Sequence, residues 1–115
     1  MESDKNEKTI AQNIINIIKK YIQELKKEKM DILTVYLYGS YAKGTNREDS
    51  DIDIAIVCKN ADVDIIEKNI KLWKIAVRVD TRISPMYSTQ IDFNKDYIPI
   101  VTEIKKGLEL KELAP

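Results

Sequence analysis

The chain has 115 residues, 43 % hydrophobic and 33 % charged, a balance that fits one globular domain over residues 1–115 and excludes a disordered chain. Nineteen basic and nineteen acidic side chains cancel, which argues against stable binding of long nucleic acid through its phosphates. There is no His and a single Cys, so His-based acid–base catalysis, Ser-His triads, internal disulfides and Cys or His metal clusters are excluded.

The N-terminal stretch MESDKNEK is polar and has no apolar signal core, and no later stretch reaches membrane-spanning length; a cytoplasmic protein without membrane contact is expected. In TIAQNIINIIKKYIQELKKEKM, the residues Ile10, Ile14, Ile17, Ile18, Tyr21, Ile22 and Leu25 recur at helical spacing. The spacing predicts an amphipathic helix of about five turns whose Lys-rich end suits the helix dipole. DILTVYLYG is rich in β-branched and aromatic residues and ends at Gly39, as a strand would. Gly39–Ser40 then turns into YAKG, a short helical turn closed by Gly44, and TNREDS follows as a polar loop. DIDIAIVC reads as a second strand, apolar on both faces toward its end, with Cys58 a small core residue.

Asp62 is placed to cap a helix over Val63–Trp73 with Ile66, Ile70 and Trp73 facing inward. KIAVRVDTRIS alternates and predicts a third strand. One face carries Ile75, Val77, Val79, Thr81 and Ile83, the other Ala76, Arg78, Asp80 and Arg82. The segment after Pro85 has no clear pattern. A helix over Tyr97–Lys106, stopped by Gly107, and an edge strand in LELKEL complete the chain. The order α-β-α-β-α-β-α predicts one α/β layered domain.

Two aspartates in the second strand break its apolar run, and aspartate is both depleted in strands and costly to bury unpaired. Asp51 and Asp53 are two apart, so their side chains leave one face, and Asp80 is expected on the strand alongside. Three anions on one face repel and lose hydration, penalties that a hard divalent cation reverses. Mg²⁺ favours carboxylate oxygens together with substrate phosphates, and three carboxylates suffice for two ions. One ion would activate an attacking hydroxyl, the other would hold a triphosphate and steady the leaving pyrophosphate. At the Gly39–Ser40 turn, glycine allows close backbone approach, free amides bind anions, and Ser40 adds a hydroxyl donor. A phosphate-binding turn one loop away from a metal-binding strand is a nucleotide site.

Gly39–Ser40, ten residues, then Asp51-Ile-Asp53 resembles the Gly-Ser-x10-Asp-x-Asp signature of the DNA polymerase β nucleotidyltransferase superfamily. The string YGSYAKGTNREDSDIDIAIV is most similar to the minimal nucleotidyltransferases, including the MntA-type antitoxins of HEPN/MNT toxin–antitoxin pairs. The resemblance covers Leu33 to Ile83 strongly and IVTEIKKGLEL weakly. It implies an α/β (α+β) polymerase-β-like fold, a small mixed sheet with helices packed mainly on one face. It also implies that Asp51 and Asp53 bind both metals, that Asp80 joins the one activating the acceptor, and that Gly39 and Ser40 hold the β- and γ-phosphates of ATP. Lys43 stands where members often carry Arg or Lys and, with Arg47, is a candidate for phosphate charge. Arg78 and Arg82 flank Asp80 and either neutralise carboxylates or phosphate or form simple ion pairs.

Larger members carry further domains for the acceptor, and this chain leaves little beyond the nucleotide site, so the acceptor is expected on another molecule. What the resemblance implies is a Mg²⁺-dependent transfer of AMP from ATP to a tyrosine hydroxyl of a HEPN-domain toxin. Two rivals stand beside it: a binding module that neutralises its partner stoichiometrically, and transfer to a small-molecule hydroxyl.

Overall fold

The computed structural model describes residues 11–59 and 64–113; Ile10 and the expected cap Asp62 lie outside them. In chain order the elements are α1 (Gln12–Lys27), β1 (Ile32–Tyr38), α2 (Ser40–Lys43), β2 (Ile52–Cys58), α3 (Ile65–Val79), β3 (Ile83–Thr89), α4 (Gln90–Phe93), α5 (Pro99–Lys105) and β4 (Leu108–Glu109), followed by a 3-10 turn at Lys111–Leu113. The strands form one mixed sheet in the order β3-β2-β1-β4. β1 runs antiparallel to β2 and to β4, and β2 runs parallel to β3.

Side-chain alternation divides the sheet into two faces. Val35 and Leu37 of β1, Ile52, Ile54, Ile56 and Cys58 of β2, and Ile83 and Tyr87 of β3 bury against the long helices α1 and α3. Ala55 and Val57, with Tyr36, Tyr38 and Met86 partly buried, face the short helices α4 and α5 through Phe93, Val101 and Ile104. Both long helices therefore pack on one face, as the expected fold requires. The apolar stripe of α1 buries Ile14, Ile18, Tyr21, Ile22 and Leu25, with Ile17 partly covered. The buried Tyr21 hydroxyl donates to the Leu72 carbonyl at 2.9 Å and ties α1 to α3.

Two expectations fail in α3. The helix does not stop at Trp73 but continues to Val79, so KIAVRV is helix and not strand. Ile75, Val77 and Val79 alternate as a strand would, yet Leu72, Ile75, Ala76 and Val79 also recur at helical spacing. Burial of that set against α1 and the sheet decides between the two. Ile66, Ile70 and Trp73, expected to face inward, point to solvent; the core-facing residues are Leu72, Ile75 and Ala76. The helix is capped by Asp64, whose carboxylate accepts from the Glu67 N–H at 3.2 Å. The third strand lies further along, at ISPMYST: it keeps Ile83 and Ser84 of the expected strand and continues through Pro85 into the segment without a clear pattern. Pro85 is tolerated there because β3 is an edge strand.

Candidate active site

β1 and β2 are antiparallel neighbours, so the end of β1 lies beside the start of β2, with Tyr38 opposite Asp53. The chain leaves β1 at Gly39, with φ 75° and ψ −150°, a region open to glycine and strained for other residues. A Cβ at Gly39 would overlap Asp53 Oδ2, so the absence of a side chain seats the carboxylate directly against the turn. Ser40 opens α2, and its hydroxyl makes no hydrogen bond to the other described residues. The motif's first and last residues, Gly39 and Asp53, are thus in contact across the loop between them.

Asp53 is half-buried and Asp51 exposed, on the β2 face that carries Ala55 and Val57. Burial pushes the Asp53 carboxyl above its ordinary range, and the neighbouring Asp51 charge pushes it further. The Tyr38 phenol is raised as well, first by burial and then by Asp53. The β3 residue paired in register with Asp53 is Ser84.

Asp80 does not occupy that strand position. It is the C-cap of α3, because the helix extends through the residues expected to be strand. Arg82 holds it: the Arg82 backbone N–H donates to Oδ1 at 2.8 Å, Nε to Oδ1 at 3.1 Å and Nη2 to Oδ2 at 3.1 Å. The guanidinium hydrogen bond keeps the Asp80 carboxyl below its ordinary range against a smaller opposing effect of burial. Among the described residues no group of three or more carboxylates or thiols is gathered closely enough to hold a metal ion. Of the three carboxylates expected from the sequence, Asp51 and Asp53 stand together on β2, and Asp80 is held by Arg82 in the turn whose Arg82 carbonyl accepts from the Ile52 N–H at 2.8 Å.

The candidate cations are placed as follows. Lys43 forms an exposed ion pair with Glu103 of α5 at 3.0 Å. Arg47 is exposed, its backbone N–H donating to Ser50 Oγ at 2.7 Å, and it lines a cleft of about 390 Å³ with Tyr41, Asn46, Glu48 and Arg82 beside the start of α1. Arg78 has no ion-pair partner among the described residues. The tyrosines around the motif pack: Tyr41 is buried, Tyr36 lies 5.2 Å from the Phe93 ring, and Tyr38 reaches Met86 Sδ at 3.9 Å. Ser84 is the residue that β3 sets beside Asp53, and Ile83, Pro85 and Tyr87, alternating onto the core face, are the signal for that strand.

The arrangement offers two acidic oxygen donors beside a glycine–serine turn, which suits a phosphate-bound hard cation. The polymerase beta nucleotidyltransferase family model matches residues 12–110. A Methanocaldococcus jannaschii protein designated a candidate protein adenylyltransferase, MJ1305, is 30 % identical over 101 residues, covering 83 % of this chain and 69 % of that one. A second from the same organism with the same designation, MJ0141, is 39 % identical over 77 residues, covering 64 % of this chain and 74 % of its own. The crystal structure of a candidate nucleotidyltransferase from Sulfolobus solfataricus superposes with a TM-score of 0.59 at 18 % identity, covering 70 % of each chain, which is a likeness of fold. With the signature turn, the acidic strand and the matched span all in one sheet, the chain belongs to the polymerase β nucleotidyltransferase family.

Proposed function

We propose that this chain is a Mg²⁺-dependent protein adenylyltransferase that moves AMP from ATP to a tyrosine hydroxyl of a HEPN-type toxin, and so serves as its antitoxin. The observation that carries the reading is the seating of Asp53 against the Gly39–Ser40 turn, in a chain whose relatives are designated candidate protein adenylyltransferases. The donors fit the metal: Asp51 and Asp53 repel each other and Asp53 resists ionisation, a cost that a hard divalent cation removes. Mg²⁺ held by this pair would neutralise phosphate charge and ease ionisation of the incoming hydroxyl.

The chain's own residues do the positioning. The Ser40 hydroxyl and the turn's backbone amides hold the β- and γ-phosphates. Lys43 exchanges an exposed carboxylate partner for phosphate at small cost, since exposed ion pairs are weak, and Arg47 adds charge at the neighbouring cleft. The acceptor phenol, easier to ionise than an aliphatic alcohol, attacks the α-phosphorus. Its oxygen–phosphorus bond forms, the α-phosphorus bond to the bridging oxygen breaks, pyrophosphate leaves, and the phenol proton passes to solvent. Asp80 joins this reading only once Arg82 releases it.

The hold of Arg82 on Asp80 favours a second reading, a stoichiometric antitoxin that transfers nothing. One experiment separates the two. The chain, the product of the neighbouring gene, Mg²⁺ and ATP labelled at the α-phosphate are incubated, and the acceptor's mass is followed. Transfer adds mass in AMP-sized steps on tyrosine. Ser40→Ala weakens the ATP dependence by about one to two decades, the loss of a hydrogen bond to charge worth roughly 1.5–3 kcal/mol. Silencing of the toxin without any covalent change establishes the second reading instead.

A further inference from the structure

α3 is apolar on two opposite sides. Its inner side buries Leu72, Ile75 and Ala76. Its outer side carries Ile66 at 73 % exposure, Ile70 at 51 %, Trp73 at 45 % and Val77 at 55 %. At 100° per residue these four fall within an arc of about 60°, a straight stripe along the helix. A helix apolar all round is normally buried all round, and an exposed contiguous stripe marks an interaction surface.

The pattern of the stripe states what covers it. Ile66 and Val77 lie at equal distances from a point between Lys71 and Leu72, close to the middle of the helix, and Ile70 and Trp73 lie symmetrically about the same point. Along one edge run Glu67, Lys74 and Arg78, all exposed and without an ion-pair partner among the described residues. A twofold axis that pairs two such helices face to face and antiparallel brings the same edge of both together. Ile66 then meets Val77 of the second copy, Ile70 meets its Trp73, and Glu67 meets its Lys74 and Arg78. The parallel pairing leaves those charges on opposite edges.

We propose that this chain forms a twofold homodimer through the outer face of α3, with Ile66, Ile70, Trp73 and Val77 as its apolar seam and Glu67 set against Lys74 and Arg78 across the axis. The surface lies on the layer of long helices, whereas Asp51 and Asp53 lie on the other sheet face, so the dimer does not depend on the nucleotide reading. Two helices of this length bury roughly 1,000 Å² together, at the small end of specific interfaces, so the dimer dissociates on dilution.

Sedimentation equilibrium of the whole chain over a dilution series tests this, read together with emission from Trp73, the single tryptophan of the chain. The expected result is a monomer–dimer equilibrium with Trp73 emission shifting to the blue as the dimer forms. Ile70→Glu, at an exposed position that leaves the fold intact, should weaken association at least tenfold. Glu67→Lys alone, and Lys74→Glu with Arg78→Glu, should each weaken it several-fold, while an equimolar mixture of these two variants restores it. A wild-type chain that stays monomeric at every concentration overturns the proposal and assigns the stripe to a different protein. A dimer indifferent to Ile70→Glu, or a charge-reversed mixture that fails to recover, overturns it as well.

Discussion

Asp53 and Asp80 are two carboxylates of one chain with opposite electrostatics, and pH separates them. Burial and the Asp51 charge raise the Asp53 carboxyl above its ordinary 3.8. The folded state therefore binds that proton more tightly than the unfolded state, and stability falls as pH rises through the interval. Asp53→Asn should then be more stable than the parent at neutral pH without metal, with the gain closing as pH falls below 3.8. Asp80 behaves in reverse. Its hydrogen bond from Arg82 lowers the folded value, so its contribution is present above the unfolded value and lost as pH falls through the folded one. Asp80→Asn should lose stability at neutral pH and match the parent in strong acid. Denaturant titrations at several pH values read both. Nucleotide transfer by Asp53→Asn should drop by roughly 10²-fold or more, in keeping with the loss of a preorganised electrostatic group. Gly39→Ala forces a Cβ into Asp53 and strains a positive φ, costing about 1–3 kcal/mol. That variant should lower the thermal midpoint and activity together.

At the scale of elements, α1 and α3 are joined by one buried hydrogen bond as well as by apolar packing. Tyr21→Phe removes the donor to the Leu72 carbonyl and keeps the ring. The expected loss is about 1 kcal/mol, because that carbonyl lies within α3 and keeps a helical partner; chemical denaturation measures it. The misreading of α3 belongs to the same scale. KIAVRVD satisfies a period of two and a period of 3.6 equally well over seven residues, and only the surface it meets chooses between them. Because the helix wins, Asp80 becomes a cap and Ser84 takes the register position beside Asp53. Gly107 shows the reverse case, a stop signal whose position also has a packing cause: a Cβ there would collide with the Leu37 carbonyl and with Tyr38.

Across the whole molecule, one sheet supports two layers of unequal depth. The long helices cover one face, and two short helices cover part of the other, leaving the end with Asp51, Asp53 and Gly39 without a long helix above it. Ile54 and Ile104 are fully buried in the two different layers. Truncation of either to Ala should cost about 2–5 kcal/mol. Because both layers rest on β1 and β2, each variant should still unfold in one cooperative transition by circular dichroism and by Trp73 fluorescence. Separate transitions would show that the layers are independent.

The sequence by itself determined α1, β1, β2, the glycine–serine turn and the Asp51–Asp53 pair. In each of these the local signal and the final burial agree: a 3.6 stripe, a β-branched run, a φ that needs glycine, and two carboxylates one pleat apart. Tertiary structure alone decided the partition of residues 74–89 between helix and strand. It also decided that Ile66, Ile70 and Trp73 face outward, whereas the Asp80–Arg82 ion pair, between residues two apart, was among the alternatives already legible in the sequence. The outcomes left to folding depend on which of two apolar faces of α3 meets α1. That is a property of surfaces brought together by folding, and no local pattern in the chain encodes it.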